Sequence, residues 1–206
     1  DGYMFELKVT IENSIKEYPN LDLNGFAYTL GFGPQIGPEF ETLGGRGEFR
    51  YYYTYEEGKR NTIKVPKDGV INRRFTWAGI AGKYFTILGV PDATPYMLTF
   101  ASPVVDEIPT SSFMFFSRPL IKSSRNTDVY KFYMGPKTKN DMGRYNNANE
   151  NIFSMSDLNL DAAIESGALL GWLEAILKFF LDIFYKVIPN YGVAIILLTI
   201  MIKVLF

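Results

Sequence analysis

Gly171 to Phe206 reads GWLEAILKFFLDIFYKVIPNYGVAIILLTIMIKVLF. Pro189-Asn190 divides it into two helices of different kinds. The spacing predicts an amphipathic helix from about Trp172 to Ile188. Glu174, Lys178, Asp182 and Lys186 recur every four residues, and at about 100° per residue each charge returns near the same face. Their signs alternate, so neighbouring pairs attract weakly. The rest of that surface is Trp, Leu, Ile, Phe, Tyr and Val. So wide an apolar face is what a helix lying in a membrane interface carries. Its candidate interface residues are Trp172, Phe179, Phe180, Phe184 and Tyr185.

The second helix, from about Tyr191 to Phe206, has another character. Val193 to Ile202 holds no charge and a single hydroxyl, Thr199; Lys203 follows in apolar surroundings. At 1.5 Å per residue the stretch spans roughly 24 Å, short of the ~30 Å hydrocarbon core. The sequence stops while still apolar, which predicts a transmembrane helix truncated at Phe206. The competing reading is a buried C-terminal helix of a soluble domain. The amphipathic neighbour and the β-like remainder favour the membrane. A lysine inside an apolar helix marks function by default; its bland alternative is to snorkel to the interface.

Working outward, the chain has 206 residues, 47% of them hydrophobic and 16% aromatic, with a formal net charge of −1. That suffices for one sizeable core and a tail. The near-neutral balance gives no electrostatic reason to expect nucleic acid. Cysteine and histidine are both absent, which removes disulfides, thiolate chemistry, His-based triads and most zinc sites. No cofactor or metal is expected.

From Tyr3 to Glu12 the sequence alternates, with Tyr3, Phe5, Leu7, Val9 and Ile11 on one face: a half-buried antiparallel strand. Asn13 to Asn20 reads as a turn, Leu21 to Phe32 as strand and Gly31 to Gly47 as loop. Arg46 to Tyr55 places Phe49, Tyr51, Tyr53 and Tyr55 at period two; a turn at Glu56-Glu57-Gly58-Lys59 leads to a returning strand at Thr62 to Val65. Short strands follow at Tyr96–Ala101, Ser112–Ser117 and Asp128–Met134, separated by Pro103, Pro109 and Pro119. Many short strands with turn signals between them predict a β-sandwich. A short helix is expected at Lys137 to Tyr145, and a polar linker at Asn146 to Asn151. A helix capped by Ser156-Asp157 is expected from Leu158 to about Ser166.

Three stretches, in order, carry a family resemblance. Trp77-Ala78-Gly79-Ile80-Ala81-Gly82-Lys83-Tyr84-Phe85 is followed by Val90-Pro91. Tyr130 to Lys137, YKFYMGPK, closes the β region. Last come Gly171-Trp172, the amphipathic helix, Asn190 to Thr199 and the cation at Lys203. Together they resemble the YidC family of membrane protein insertases. The resemblance implies a mainly β periplasmic domain of supersandwich type, incomplete at its start, over 1–155. It implies connecting and interfacial helices over 156–189, and the start of the first core transmembrane helix over 190–206. The family carries an intramembrane cation, commonly Arg, in a hydrated groove; here that position is Lys203, with Thr199 beside it. The implied function is insertion and folding of membrane proteins, with no enzymatic reaction. The implied partners are the lipid bilayer and nascent membrane proteins, with Sec translocon components as further candidates. The implied location is the bacterial inner membrane, with the β domain in the periplasm of a multi-pass parent.

Two other readings stand beside it. Galactose-mutarotase-like proteins share the supersandwich, but their reaction needs a histidine. Sugar binding without catalysis remains, with Tyr51, Tyr53, Trp77 and Tyr84 as candidate platforms; tyrosines at period two are more often ordinary strand packing. The β domain can also be a docking surface or spacer.

Overall fold

A computed structural model of the chain describes residues 2–12, 22–37, 51–63, 70–105, 108–109, 111–164 and 171–205. They fall into two compact units, Asp1–Ile164 and Glu165–Phe206. The first is mainly β, and the second is helical.

Alternation of apolar residues builds the strands: β1 (Met4–Glu12), β2 (Phe26–Phe32), β3 (Tyr51–Glu56), β4 (Lys59–Thr62), β5 (Val70–Ile71), β6 (Trp77–Ala81), β7 (Phe85–Val90), β8 (Met97–Ala101), β9 (Val104–Val105), β10 (Ile108–Pro109), β11 (Phe113–Pro119) and β12 (Arg125–Pro136). Two antiparallel sheets result, ordered β1–β12–β7–β6–β3–β4 and β2–β11–β8–β5, with β9 and β10 as a small hairpin. Between the sheets lie Tyr52, Ile80, Ile87 and Phe132 from the larger and Leu98, Phe100, Met114 and Phe116 from the smaller.

The period of two sends the other residues of the larger sheet to its far face. There Tyr53, Tyr55, Trp77, Leu88 and Tyr133 form a second core. It is closed by the segment after β12, through Met142, Tyr145, Leu158, Leu160 and Ala163. Trp77 is fully buried at 0% exposure. Its ring stacks on Tyr55 at 5.0 Å, and its Nε1–H donates to the Leu158 carbonyl at 2.8 Å. The larger sheet is therefore covered on both faces. Glycine permits the closeness: a Cβ on Gly79 would sit 2.5 Å from the Ile87 carbonyl oxygen, and one on Gly89 would sit 2.6 Å from the Phe116 ring.

Several expected boundaries move, for local reasons. β2 begins at Phe26 rather than Leu21, because Asn24 (φ 58°) and Gly25 (φ 90°) turn the chain in the left-handed region. β4 begins at Lys59, directly after a two-residue turn in which Glu57 and Gly58 both have positive φ, the geometry that matches strand twist. The expected turn at 13–20 and most of the 31–47 loop lie outside the described residues.

After β12, α1 runs Lys139–Gly143, capped by the Thr138 side chain, which accepts from the Asp141 N–H at 3.2 Å. The asparagine-rich stretch is not a linker. Asn151 is buried, and its amide donates to the carbonyls of Arg144, Asn147 and Met155 at 3.2, 3.0 and 2.9 Å. Its side-chain oxygen accepts from the Met155 N–H at 3.0 Å. Asn146 likewise accepts from the Asn159 N–H at 2.6 Å. These amides satisfy backbone groups that a packed loop removes from water. The helix expected from Leu158 is only a 3₁₀ turn, Leu160–Ala163. Ser154, Asp157 and Asn159 all have positive φ, which breaks an α-helix before it starts. Arg60 closes the unit, donating to the carbonyls of Ala162 and Ile164 at 2.9 and 3.3 Å.

In the second unit, α2 spans Gly171–Val187 and α3 spans Tyr191–Leu205, and they pack on one another. Among the described residues no helix is long and apolar enough to cross a membrane.

Candidate functional site

The predicted site residues all lie in the helical unit, so its construction comes first. Nothing between Trp172 and Val187 interrupts α2: that stretch holds no Gly, Pro or Asn. Pro189 ends it by disfavouring helical backbone at Ile188. Asn190 then starts α3. Its side-chain oxygen accepts from the Gly192 N–H at 2.9 Å and the Val193 N–H at 3.4 Å, satisfying two of the donors that open a helix.

α3 has 15 residues, or about 22 Å of rise. Its exposure divides by arc. Tyr191, Gly192, Ile195, Ile196, Thr199, Ile200, Lys203 and Val204 are exposed. Val193, Leu197, Leu198, Met201 and Ile202 are half-buried, and Ala194 is fully buried. At about 100° per residue the exposed residues centre on one side of the helix and the buried ones on the other, with Val193 and Ile202 at the two boundaries. The structure thus brings Thr199 and Lys203 onto one face, four residues apart, with Lys203 near its middle. The Thr199 hydroxyl donates to the Ile195 carbonyl at 2.8 Å, so its proton is used within the helix and its oxygen remains an acceptor. Lys203 makes no ion pair among the described residues.

The interface residues of α2 do not share one face. Phe180, Phe184 and Tyr185 are half-buried, whereas Phe179 is exposed at 61%. Phe179 lies on the arc with the exposed Lys178, Asp182 and Lys186, beside the exposed Ile176, Ile183 and Val187. The side chain of Trp172 is outside the described residues. Two features of this unit were missed in the sequence reading. The Asn190 cap had a signal, Asn directly ahead of an apolar run. The stack of Tyr185 on Tyr191, ring centroids 4.2 Å apart at 20°, had none, because a proline corner separates the two.

The β unit holds a buried polar cluster. Arg118 and Asp128 pair at 2.9 Å with side chains 11% and 4% exposed. The Tyr28 hydroxyl donates to the same Asp128 oxygen at 2.7 Å and lies 3.0 Å from the Tyr130 hydroxyl. Burial by itself pushes the Asp128 carboxyl up, but hydrogen bonds from Tyr28 and Arg118 and the Arg118 charge outweigh it, leaving the group below its ordinary range. Burial pushes the Tyr28 hydroxyl up, and its two partners add to that. A pocket of about 260 Å³ opens over this cluster, lined by Arg118, Asn126, Asp128 and the 92–95 turn. No aromatic ring lines it. Of the four rings considered as sugar platforms, Tyr53 and Trp77 are fully buried, Tyr51 stacks on Tyr53, and Tyr84 stands exposed. Among the described residues no acidic cluster is set up to hold a metal.

No protein-family model matches the chain. Curated relatives do. The chain is 35% identical over 210 residues to the membrane protein insertase YidC of Treponema denticola, covering 99% of this chain and 36% of that protein. It is 33% identical over 237 residues to the protein of the same name from Treponema pallidum, covering 100% of this chain and 38% of that one. With the namesake from Endomicrobium trichonymphae it shares 26% identity over 208 residues, 100% of this chain and 36% of the relative. The chain therefore spans little more than a third of the length of the relatives it matches.

Proposed function

This chain belongs to the YidC family of membrane protein insertases, and from that premise we propose that it serves membrane-protein insertion as the segment joining a periplasmic β domain to the inserting core. The parent protein resides in the bacterial inner membrane. In this reading 1–155 form the periplasmic domain, 156–189 lead along the membrane interface, and 190–206 belong to a membrane-crossing helix.

The action is solvation rather than bond chemistry. A polar backbone or side chain that enters hydrocarbon unsatisfied costs several kcal/mol, of order 2–7 per group. A hydrated intramembrane groove lowers that cost for the polar parts of a nascent membrane protein, while its apolar helix moves sideways into lipid. Sec translocon components are candidate partners.

The observation that carries the reading is Lys203, exposed on the open arc of a helix whose preceding ten residues bear no charge. A charge at hydrocarbon depth costs about 2.5–3.5 kcal/mol on insertion scales unless water or a partner compensates. The groove supplies that water, and the cation attracts acidic client segments. Lysine keeps the charge of the family's arginine and loses its planar fork. The test is complementation of a depleted strain by the full-length parent, with protease accessibility of a reporter client. Lys203→Arg retains function. Lys203→Leu impairs insertion of clients with charged translocated segments, at unchanged protein level. Lys203→Glu fails most for acidic ones. Normal topology with the Leu variant overturns the role of Lys203.

A further inference from the structure

We propose that the corner between α2 and α3 is a positioning device for Lys203, with Tyr185 and Tyr191 as its positioning residues. The proposal rests on the reading of Lys203 given above. Only Ile188, Pro189 and Asn190 separate the two helices, and each is tied down. The Ile188 N–H donates to the Phe184 carbonyl at 2.9 Å, extending the last turn of α2. Pro189 has a ring-fixed φ. The Asn190 N–H donates to the Ile188 carbonyl at 2.6 Å, and its own carbonyl accepts from the Ala194 N–H at 3.0 Å. Its side chain caps Gly192 and Val193.

Backbone ties fix the bend. The rotation of α3 about its own axis is held by its packing on α2 and, at the corner, by a side-chain contact, the stack of Tyr191 on Tyr185. Tyr191 is the first residue of α3, and a hydrogen-bonded helix transmits the azimuth of its first turn to its last. Lys203 lies twelve residues further on, roughly 120° round from Tyr191. That direction is the middle of the exposed arc and faces away from Ala194 and Met201 on the closed one. A one-residue slip of α3 turns it by about 100° and carries Lys203 from the middle of the open face to one of its edges. Tyr191 is itself 57% exposed, so the pair is placed to lock two elements rather than to fill a core.

The experiment uses the full-length parent in membranes, with single cysteines at Thr199 and Lys203 on the open arc and at Leu198 and Met201 on the closed arc. Labelling rates with an aqueous thiol reagent give an open-to-closed ratio. Tyr191→Phe keeps the ring and leaves the ratio unchanged. Tyr191→Leu keeps apolar bulk, loses the stack and lowers the ratio several-fold. Tyr185→Leu does the same, and the double variant adds nothing further, because both act on one contact. With Lys203 intact, client insertion falls in the Leu variants and not in Tyr191→Phe. If Tyr191→Leu fails to accumulate, Tyr185→Leu carries the same expectation with α3 unaltered. A wild-type ratio in whichever Leu variants accumulate overturns the positioning role. Normal insertion by Lys203→Leu instead overturns the function of Lys203, and the labelling ratio still reports on the corner.

Discussion

The β unit and the helical tail are both rich in large apolar side chains and treat them in opposite ways. The six-stranded sheet buries rings on both faces, and Trp77, Tyr53, Tyr130, Tyr133 and Phe132 are wholly inside. Some of the polar groups that go in with them are paired, Trp77 with a carbonyl and Asp128 with Arg118 and Tyr28, whereas the Thr54 hydroxyl is buried without a partner among the described residues. The tail leaves Ile176, Phe179, Ile183, Ile195, Ile196, Ile200 and Val204 exposed, Val204 at 81%. The β unit encloses its largest rings, and leaves Leu23, Tyr84 and Ile152 exposed at its surface. The tail presents exposed apolar side chains on both helices, those of α2 beside the exposed Lys178, Asp182 and Lys186.

That contrast can be broken by substitutions that hurt one unit and spare the other. The largest effect belongs to the tail. Phe179→Ser, Phe180→Ser and Phe184→Ser together remove about 5 kcal/mol or more of transfer free energy if all three rings enter lipid, at about 1.5–3 kcal/mol per side chain. A peptide covering Trp172 to Ile188 should bind neutral vesicles in a sedimentation assay, and the triple variant should not. Phe179 sits among the charges of α2. Its single substitution should therefore cost less than that of Phe180 or Phe184, which sharpens which face meets lipid.

Next comes the ion pair of the β unit. Asp128→Asn leaves Arg118 buried without its counter-charge and should destabilise by about 3–5 kcal/mol, read by urea melts of the β signal, with vesicle binding unchanged. The same carboxyl sets an acid limit. Its folded pKa is below the ordinary value of 3.8, so its contribution is complete above that value. It is lost as pH falls through the lower folded one. The β unit should melt earlier below about pH 4, and Asp128→Asn should flatten that dependence. Retention of the full acid slope in the variant would assign it to other carboxylates.

Asn151→Ala removes buried hydrogen bonds that hold the cap over Trp77, and should lower β-unit stability by about 1–3 kcal/mol. An unchanged melt would show the stretch to be the linker its composition suggests. The smallest effect is Asn190→Ala, about 1 kcal/mol from a lost N-cap, seen as fraying of the first turn of α3 by amide exchange.

Much of this was legible in residue order. The hairpin at Glu57-Gly58 follows from its two left-handed residues. β12 ends where Gly135-Pro136 stands, and the charges of α2 share the arc that a four-residue spacing dictates. Two of the misreadings share a cause beyond the local backbone. Asn146 to Asn151 looks like solvent-facing chain until the carbonyls it serves are folded around it. Leu158 to Ile164 looks helical until its carbonyls are claimed by Trp77 and Arg60. A side-chain amide, indole or guanidinium is informative only with its partner, and those partners lie up to 104 residues away.

By itself, then, the sequence determined what depends on neighbours within a few positions: strand alternation, turn chemistry, helix periods and an isolated charge at Lys203. Tertiary structure decided what depends on residues far apart in the chain. It set which face of the larger sheet each tyrosine enters. It set that the chain after β12 folds back as a lid over Trp77, that Arg118 and Asp128 meet, and that Tyr185 stacks on Tyr191. Local propensity arises from backbone sterics and hydrogen bonds a turn or two apart, which residue order encodes directly. Burial and side-chain pairing arise from which surfaces exclude water together, and that is settled only when the whole chain has closed.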